Sequence, residues 1–186
     1  MLIGLLSDTH VRTPGFNAGL SSLTADELPA AVCEALQGVD LILHAGDIYT
    51  LPVLDELEAV APVLAAEGDD DPFESVNDAR VSPEHLLVLE GVTIWVSHYG
   101  MWPEDSPRPA PDVIVYGHSH RAGIEHHNGI VRINPGSPTF PGYRYTLGTV
   151  GFLTVVHGRV TDVRLQQLEG GEITAGGTSG IPGFTS

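Results

Sequence analysis

The feature that most constrains the fold is a series of short, almost continuously apolar runs in the first half of the chain. The first three cover Leu2–Leu6, Leu41–His44 and about residues 62–66. Runs of four or five apolar residues without polar alternation are typical of strands that are buried on both faces of a parallel sheet. Because helical patterns separate the runs, we predict an α/β fold with right-handed crossovers between parallel strands.

Two segments between these runs are predicted to be helices. Residues 24–27, Thr-Ala-Asp-Glu, have the form of a capping box, so we expect a helix from there to about Gln37, stopped by Gly38. A second helix is expected to begin near Pro52, because apolar residues recur at helical spacing from Val53 onwards. Both helices would serve as crossovers between neighbouring strands.

The second half of the chain is predicted to consist mainly of strands. Two apolar runs flank Glu90-Gly91, which predicts a hairpin with a tight turn. Further strands are expected at residues 113–116, 130–133, 151–156 and 160–165. The proline-rich segment 103–111 is expected to be a surface loop. We predict one domain over residues 1–168, with two sheets, followed by a flexible Gly-, Thr- and Ser-rich tail at residues 169–186.

The charge of the chain restricts its partners. The formal net charge is −16 at pH 7, and all eight basic residues are arginines. A surface this acidic repels polyanions, so we expect no nucleic-acid partner. We expect no membrane association either, because no apolar run approaches the roughly 20 residues that span a bilayer. The N-terminus lacks the basic and apolar regions of a signal peptide, so the predicted location is the cytoplasm.

Five of the apolar runs end in aspartate or histidine residues. The motifs are Ser7-Asp8-Thr9-His10, His44-Ala45-Gly46-Asp47, Gly68-Asp69-Asp70-Asp71, Ser97-His98-Tyr99 and Gly117-His118-Ser119-His120. Ligands of α/β proteins gather at the carboxyl ends of strands, so these motifs are expected to meet. Residues two apart in an extended segment project to the same side, which would bring Asp8 and His10 to one ion. The same argument joins His118 to His120, and the motif glycines are expected to permit tight turns.

Seven residues of these motifs are candidate metal ligands. They are Asp8, His10, Asp47, Asp69, His98, His118 and His120. A mixed set of carboxylates and imidazoles favours Mn²⁺, Fe, Zn²⁺ or Ni²⁺ over Ca²⁺ and Mg²⁺, which prefer oxygen ligands. An isolated Asp-x-His or Gly-Asp is more often part of a turn. Their occurrence together at five strand ends favours a metal site.

The order of these motifs resembles that of the calcineurin-like metallophosphoesterases. Residues 134–137, Asn-Pro-Gly-Ser, are similar to those of the small bacterial and archaeal phosphodiesterase branch, to which the retromer scaffold subunit also belongs. The resemblance implies a four-layer αββα sandwich with two stacked mixed sheets. It implies one ion at Asp8, His10, Asp47 and His120. It implies a second ion at Asp47, Asp69, His98 and His118.

The resemblance also implies an activity. We expect a phosphodiesterase that hydrolyses small organic phosphate esters through a hydroxide bridging two divalent ions. Mn²⁺ is the expected metal, with Fe, Zn²⁺ or Ni²⁺ as alternatives. The alternative function is a non-catalytic metal-binding interaction or scaffold module of the same fold.

That alternative arises because the chain departs from the family pattern at two neighbouring positions. Asp69 stands where relatives usually have an asparagine ligand, and the retromer scaffold subunit also has aspartate there. Asp70 stands at the usual histidine or cysteine position, where the histidine contacts substrate or donates a proton, so we assign Asp70 the catalytic position. An ordinary carboxyl group, with a pKa near ~4, is a poor proton donor at neutral pH.

Other residues near the motifs are candidates for supporting roles. Arg12 and Arg121 each follow a ligand pair and are candidates for binding the substrate phosphate. The loop that carries Tyr99 and Trp102 either forms a wall of the substrate pocket or is only a shortened connection. We expect His44 to donate a hydrogen bond to a ligand carboxylate.

Overall fold

The computed structural model describes residues 1–11, 28–100, 109–144 and 146–168, together with the backbone of residues 171–173. The elements are β1 (Leu2–Leu6), α1 (Ala30–Ala35), β2 (Leu41–His44), α2 (Leu51–Glu58), β3 (Val63–Ala66), β4 (Val81–Ser82), β5 (Glu84–Leu89), β6 (Val92–Ser97), β7 (Val113–Val115), β8 (Gly123–His127), β9 (Ile130–Asn134), β10 (Thr149–Val156), β11 (Arg159–Gln167) and β12 (Gly171–Ile173). Two short 3-10 helices lie at Ser75–Asn77 and Pro141–Tyr143.

The strands form two mixed sheets. The seven-stranded sheet has the order β12-β11-β10-β1-β2-β3-β4, and the five-stranded sheet has the order β5-β6-β7-β9-β8. Strands β1 to β4 are parallel, and β10 joins them antiparallel to β1. In the second sheet β6, β7 and β9 are parallel, with antiparallel β5 and β8 at the edges. The predicted α/β fold with parallel crossovers and a second sheet is confirmed.

The burial of β1 explains why its sequence is apolar without alternation. Ile3 and Leu5 belong to a hydrophobic cluster whose other members come from both sheets, including Ile94 of β6. Leu6 belongs to a second cluster that contains Leu54 of α2. Burying one such side chain stabilises the fold by about 1.5–3 kcal/mol. The seven-stranded sheet is therefore covered by helices on one face and by the second sheet on the other.

The second helix begins where the sequence places it, whereas the first is shorter than predicted, because Leu28 and Pro29 are not helical and α1 starts only at Ala30. Helix α2 starts at Leu51, one residue before Pro52. Helix α1 ends at Ala35, and Gly38 adopts a left-handed φ of 84° shortly after it. The expected capping box at residues 24–27 lies outside the described residues.

The predicted strands are all present, and the predicted hairpin joins β5 to β6 with Glu90 and Gly91 at left-handed φ values of 48° and 87°. Strands β4, β8 and β12 were not predicted, because β4 is two residues long and β8 has mostly exposed side chains. No helix among the described residues has the length and apolarity that crossing a bilayer requires. The domain limits and the cytoplasmic location stay predictions.

Candidate metal centre

The structure brings all seven candidate ligands to one end of the two sheets. They follow the carboxyl ends of β1, β2 and β3 in one sheet and of β6 and β7 in the other. We call Asp8, His10, Asp47 and His120 the buried group. We call Asp69, His98 and His118 the open group. Within each group the ligand atoms lie within 4.8 Å of one another.

The buried group places nitrogen and oxygen atoms around a small common space. The Nε2 atoms of His10 and His120 are 3.1 Å apart. Oδ2 of Asp47 lies 3.3 Å from Nε2 of His10, and Oδ1 of Asp8 lies 3.6 Å from Nε2 of His120. The Nδ1 atom of His120 lies 2.9 Å from the Phe140 carbonyl, so it carries the proton and leaves Nε2 free to coordinate.

Asp47 lies between the buried group and the open group. Its Oδ2 atom is 3.5 Å from Nε2 of His98 as well as 3.3 Å from Nε2 of His10. In the open group, Oδ1 of Asp69 lies 2.6 Å from Nε2 of His98 and 3.4 Å from Nδ1 of His118. One carboxylate is thus within reach of two potential ion positions.

The Nε2 atom of His98 shows that this space fits a cation. Nδ1 of His98 lies 2.7 Å from the carbonyl of Ala45 and donates its proton there, so Nε2 presents a lone pair. That atom is buried and makes no hydrogen bond among the described residues, although Asp69 is close. A lone pair that faces a carboxylate needs a cation or a proton between them. A divalent ion fits this requirement.

The carboxylates of the buried group are in an environment that disfavours negative charge. Burial raises the pKa of Asp47 to about 6, against the opposing effect of His98. Burial also raises the pKa of Asp8, although Ser7 donates a hydrogen bond of 2.6 Å to it. A bound cation would stabilise both carboxylates in the charged form.

The backbone at the site is strained. Five of the seven candidate ligands have left-handed φ values: Asp8 (54°), His10 (44°), Asp47 (59°), His118 (65°) and His120 (55°). Such conformations cost about 1–3 kcal/mol each in residues other than glycine and are concentrated at functional sites. The expectation of an extended segment was wrong for both ligand pairs. Asp8 and His10 still meet in the buried group, whereas His118 and His120 lie in different groups, so the expectation that the second pair addresses one ion was wrong.

The motif glycines act mainly by allowing close approach. A Cβ atom on Gly117 would overlap the Ser7 hydroxyl, and one on Gly68 would overlap the backbone and carboxylate of Asp47. Only Gly46 also has a left-handed φ, of 90°. The predicted tight turn is therefore found at Gly46, whereas at Gly68 and Gly117 the contact itself requires glycine.

Asp71 is a residue of the site that the sequence analysis missed. Its carboxylate accepts hydrogen bonds from the backbone N–H groups of Gly68 (2.8 Å), Asp47 (3.2 Å), Ile48 (2.6 Å) and Tyr49 (2.9 Å). These bonds hold the strained loop after β2 against the loop after β3. The only signal in the sequence was its position as the last aspartate of the Gly68–Asp71 motif.

The segment after β9 connects two ligand loops. The Asn134 side chain donates to the carbonyl of Gly117 at 2.8 Å, and the Ser137 hydroxyl donates to the carbonyl of Asp8 at 2.7 Å. Thr139 donates to the carbonyl of Thr9. The Asn-Pro-Gly-Ser sequence therefore fixes the first and last ligand pairs relative to each other.

The prediction for His44 was wrong, because its ring contacts no ligand carboxylate. Nδ1 accepts a hydrogen bond from the N–H of Gly46 at 3.2 Å, so Nε2 donates to the Thr9 hydroxyl, also at 3.2 Å. Burial, reinforced by the nearby His98 and His10, lowers the pKa of His44 to about 3. A neutral His44 thus orders the backbone next to two ligands.

Asp70 lies at the exposed edge of the centre. Its backbone N–H donates to Oδ1 of Asp47 at 3.1 Å, and its carboxylate accepts a hydrogen bond of 2.8 Å from the Tyr49 hydroxyl. The Tyr49 ring in turn packs edge-on against His10, with 4.4 Å between ring centroids. Asp70 therefore lies beside Asp47 and Tyr49, and its catalytic role stays a prediction.

The predicted substrate-binding residues are only partly described. Arg121 is exposed directly after His120, and Arg12 lies outside the described residues. Tyr99 lies at the site, with its ring centroid 4.9 Å from that of His118, whereas Trp102 lies outside the described residues. Phosphate binding by the two arginines stays a prediction.

Aromatic residues that the sequence analysis did not single out line the other side of the centre. Tyr143 stacks on His120 with 4.5 Å between ring centroids, and Phe140 packs edge-on against the same ring at 5.4 Å. Tyr143 is itself 62% exposed and has a left-handed φ of 62°. These rings limit the orientations open to the imidazole.

Two stacked mixed sheets with aspartates and histidines at their strand ends define a metallophosphoesterase type of site. The chain belongs to the calcineurin-like phosphoesterase superfamily, whose domain model matches residues 1–158. It is 34% identical over 149 residues to a probable metallophosphoesterase of Methanothermobacter thermautotrophicus, covering 76% of this chain and 79% of that protein. It is 24% identical over 166 residues to a phosphodiesterase of Methanocaldococcus jannaschii, covering 82% and 92% of the two chains.

Solved structures show the same fold. A novel archaeal phosphodiesterase superposes with a TM-score of 0.66 at 23% identity, covering 90% of this chain and 99% of that chain. The Vps29 protein of Entamoeba histolytica, in a crystal structure with Zn²⁺, superposes with a TM-score of 0.68 at 19% identity, covering 93% and 96% of the two chains. The predicted family and fold class are confirmed.

Proposed function

We propose that this protein is a phosphodiesterase that uses two divalent metal ions to hydrolyse small organic phosphate esters. The observation that carries the proposal is the position of Asp47, whose carboxylate lies 3.3 Å from a ligand of the buried group and 3.5 Å from a ligand of the open group. The raised pKa of Asp47 and the unsatisfied Nε2 of His98 support a cation on each side of that carboxylate.

The seven candidate ligands would hold the two ions in two sets that share Asp47. The ions supply Lewis acidity and lower the pKa of water, which is the chemistry that phosphoester hydrolysis needs. The chain itself contributes fixed ligand directions. Hydrogen bonds from the imidazoles of His98 and His120 to backbone carbonyls hold their coordinating nitrogens in place. Mn²⁺ is our first choice of metal, because the donor set mixes oxygen with nitrogen.

A metal-reconstitution assay tests the proposal. Protein stripped with a chelator and then supplied with Mn²⁺ is expected to hydrolyse bis-p-nitrophenyl phosphate. Asp8→Ala and His120→Ala are expected to lower kcat/KM by at least about 100-fold, the usual cost of removing one strong transition-state interaction. Cys33→Ala, at a partly buried residue that packs against the helix-side core, is the control and is expected to keep the activity. A lack of turnover with Mn²⁺, Fe²⁺, Zn²⁺ and Ni²⁺ across several phosphate esters would contradict the proposal.

A non-catalytic metal-binding module is the second candidate function. The observation that favours it concerns Asp70. A proton donor is expected at this position, but the Asp70 carboxylate accepts a hydrogen bond from the Tyr49 hydroxyl. Under this function Mn²⁺ raises Tm, as any ligand of the folded state does, but no ester is hydrolysed. Asp70→His separates the two functions. A gain of activity in that variant, starting from an inactive parent, would show that the site lacks only the donor.

A further inference from the structure

Strand β5 forms the edge of the five-stranded sheet that lies opposite β8. It pairs with β6 over all six of its residues, and with no other strand in the described part of the chain. The edge of a sheet presents a row of unpaired backbone N–H and C=O groups, which can pair with a strand of another chain. Natural sheets protect their edges with charges, prolines, bulges or very short strands, so the four edges of this protein can be compared.

The other three sheet edges carry such protection. The last three residues of β8 are exposed and polar, Glu125, His126 and His127. Strand β4 is only two residues long, and β12 has three residues with Glu172 at its centre. By contrast, residues 86–89 of β5, Leu-Leu-Val-Leu, contain no charge and no proline, and their pairing with β6 has no bulge. Strand β5 is therefore the least protected edge among the described strands.

The outer face of β5 is apolar as well. Leu86 is 38% exposed and Val88 is 66% exposed, which makes Val88 the most exposed large aliphatic side chain among the described residues. Leu87 and Leu89 alternate with them and pack against the hydrophobic cluster between the two sheets. Adjacent exposed aliphatic side chains on an edge strand are typical of a surface that meets another chain.

The backbone groups of β5 that point away from β6 have no partner in the structure as described. The two-residue turn after β5 makes Leu89 and Val92 a hydrogen-bonded pair. Such pairs alternate along an antiparallel ladder with pairs that direct their N–H and C=O groups outwards. The outward groups of β5 are therefore those of Glu84, Leu86 and Val88. These groups make no hydrogen bond to any described residue.

We propose that β5 pairs with β5 of a second copy of this chain, antiparallel and about a twofold axis at Leu86. The two five-stranded sheets would then join into one continuous sheet. In this register Leu86 faces Leu86 of the second copy, and Glu84 faces Val88 of the second copy. All the outward backbone groups of these residues find partners. The proposal goes beyond the proposed function and does not depend on it.

Charge favours a second copy in this register. Two chains with a net charge of −16 repel each other where acidic surfaces meet, so they approach most easily at an uncharged stretch. An axis at Leu87 would place Glu84 opposite Glu90 of the second copy, and like charges directly opposite each other are destabilising. The axis at Leu86 avoids this contact. It also brings the exposed side chains of Leu86 and Val88 from both copies together on one face of the sheet.

Sedimentation velocity over a range of protein concentrations tests for the dimer. A single strand pair is a small interface, so we expect a reversible dimer with a Kd on the order of micromolar. Raising NaCl from about 0.05 M to about 0.5 M is expected to lower this Kd, because salt screens the repulsion between the acidic chains. A monomer at every concentration up to about 1 mM would overturn the proposal. Open-ended aggregation in place of a dimer would overturn it too.

Two lysine substitutions test the register. Leu86→Lys places two ammonium groups opposite each other at the axis and is expected to raise the Kd of the dimer by at least about tenfold. Val88→Lys instead places each ammonium group opposite Glu84 of the second copy, so the Kd should stay the same or fall. Equal weakening by both substitutions would overturn the axis at Leu86.

Val156→Lys is the matched control for charge. Val156 is 39% exposed, nearly the same as Leu86, but it lies on β10 inside the seven-stranded sheet. We expect its Kd to stay within about threefold of that of the wild type. Equal Kd values for Leu86→Lys and Val156→Lys would show that the dimer forms at another surface.

Hydrogen exchange tests the pairing in the unmodified protein. The backbone amides of Leu86 and Val88 are expected to exchange slowly in concentrated protein and rapidly after dilution below the Kd. Amides of β8, at the other edge of the same sheet, should exchange at the same rate in both samples. A dimer that leaves the exchange of the β5 amides unchanged would overturn the proposal.

Discussion

The buried group and the open group differ in how far they are shielded from water. Side chains of the buried group are between 0% and 8% exposed, whereas those of His118 and Asp69 are 52% and 38% exposed. His98 is the exception in the open group, with 1% exposure. One half of the centre is therefore built into the core, and the other half faces solvent.

The pKa values of the carboxylates also differ between the two groups. Burial raises the pKa of Asp8 and Asp47. Burial pushes the pKa of Asp69 upwards, but hydrogen bonding to its own backbone amide and the nearby His98 and His118 together outweigh burial and lower the pKa. A buried, preorganised group binds an ion with little rearrangement. We therefore expect the buried group to retain its ion more strongly and the open group to exchange its ion and meet the substrate.

The largest expected effect comes from removing the carboxylate that lies between the groups. Asp47→Ala is expected to abolish binding of both ions, whereas His118→Ala should lose only the ion of the open group. The reason is that Oδ2 of Asp47 reaches a histidine nitrogen in each group. Outer hydrogen-bond partners of metal ligands are worth roughly 10–100-fold in affinity, so a shared ligand should exceed that range. Metal analysis after gel filtration gives the stoichiometry.

The matched control is Asp162→Ala, which removes an exposed aspartate of β11 and is expected to keep two ions. Circular dichroism checks that each variant is folded. Retention of one ion by folded Asp47→Ala would show that Asp47 is not shared, and the two groups would then be independent sites.

A smaller effect is expected at Asp71, which touches no ion position. In Asp71→Asn an NH₂ group replaces one acceptor oxygen, although the native carboxylate receives four backbone N–H groups. Each N–H left without a partner costs about 1–3 kcal/mol. We expect a lower Tm and a loss of about 10–100-fold in metal affinity for both ions, because both share Asp47. Calorimetric titration with Mn²⁺ and thermal melting measure the two effects.

Asp112→Asn is the control for Asp71→Asn, because Asp112 also accepts a backbone N–H but only that of Thr93, at an exposed position. Unchanged metal affinity in Asp71→Asn, at a Tm lowered as expected, would limit Asp71 to a role in folding.

The sequence predicted the positions of the ligands better than their geometry. Strand ends can be located from apolar runs, and strand direction then brings Asp8, Asp47 and Asp69 to one edge. The left-handed φ values of Asp8 and Asp47 could not be predicted, because they arise from contacts made by distant residues. Asp71 and Ser137 supply such contacts. Their partners lie more than 20 positions away in the sequence, and hydrogen bonds over such separations produce no periodic pattern in the sequence.

The same limit explains the error at His44. His44 precedes Gly46-Asp47 in the sequence, which suggested a carboxylate as its hydrogen-bond partner. The partner is instead the hydroxyl of Thr9, in the loop after β1. Local pattern predicts the elements of this fold, whereas the hydrogen-bond partner of a buried ring depends on how those elements pack.

The last expected effect concerns stability without metal: a pH dependence that distinguishes the buried group from the open group in metal-free protein. The pKa of Asp47 rises on folding from 3.8 to about 6, so the folded state binds this proton more tightly than the unfolded state. Its contribution to stability is complete below the unfolded pKa and is lost as pH rises through about 6, which amounts to ~3 kcal/mol at most. Asp8 acts in the same direction, and Asp69, with its lowered pKa, acts in the opposite one.

Urea unfolding in the presence of a chelator, at intervals between pH 4.5 and 7.5 chosen to bracket that pKa, measures the effect. We expect the free energy of unfolding to fall with pH in the wild type and to fall less in Asp47→Asn, since asparagine does not titrate. The difference between the two proteins isolates Asp47 from the general repulsion of a chain with a net charge of −16. Parallel curves for the two proteins would mean that the charged form of Asp47 does not destabilise the metal-free protein. The buried group would then not differ from the open group in requiring a cation.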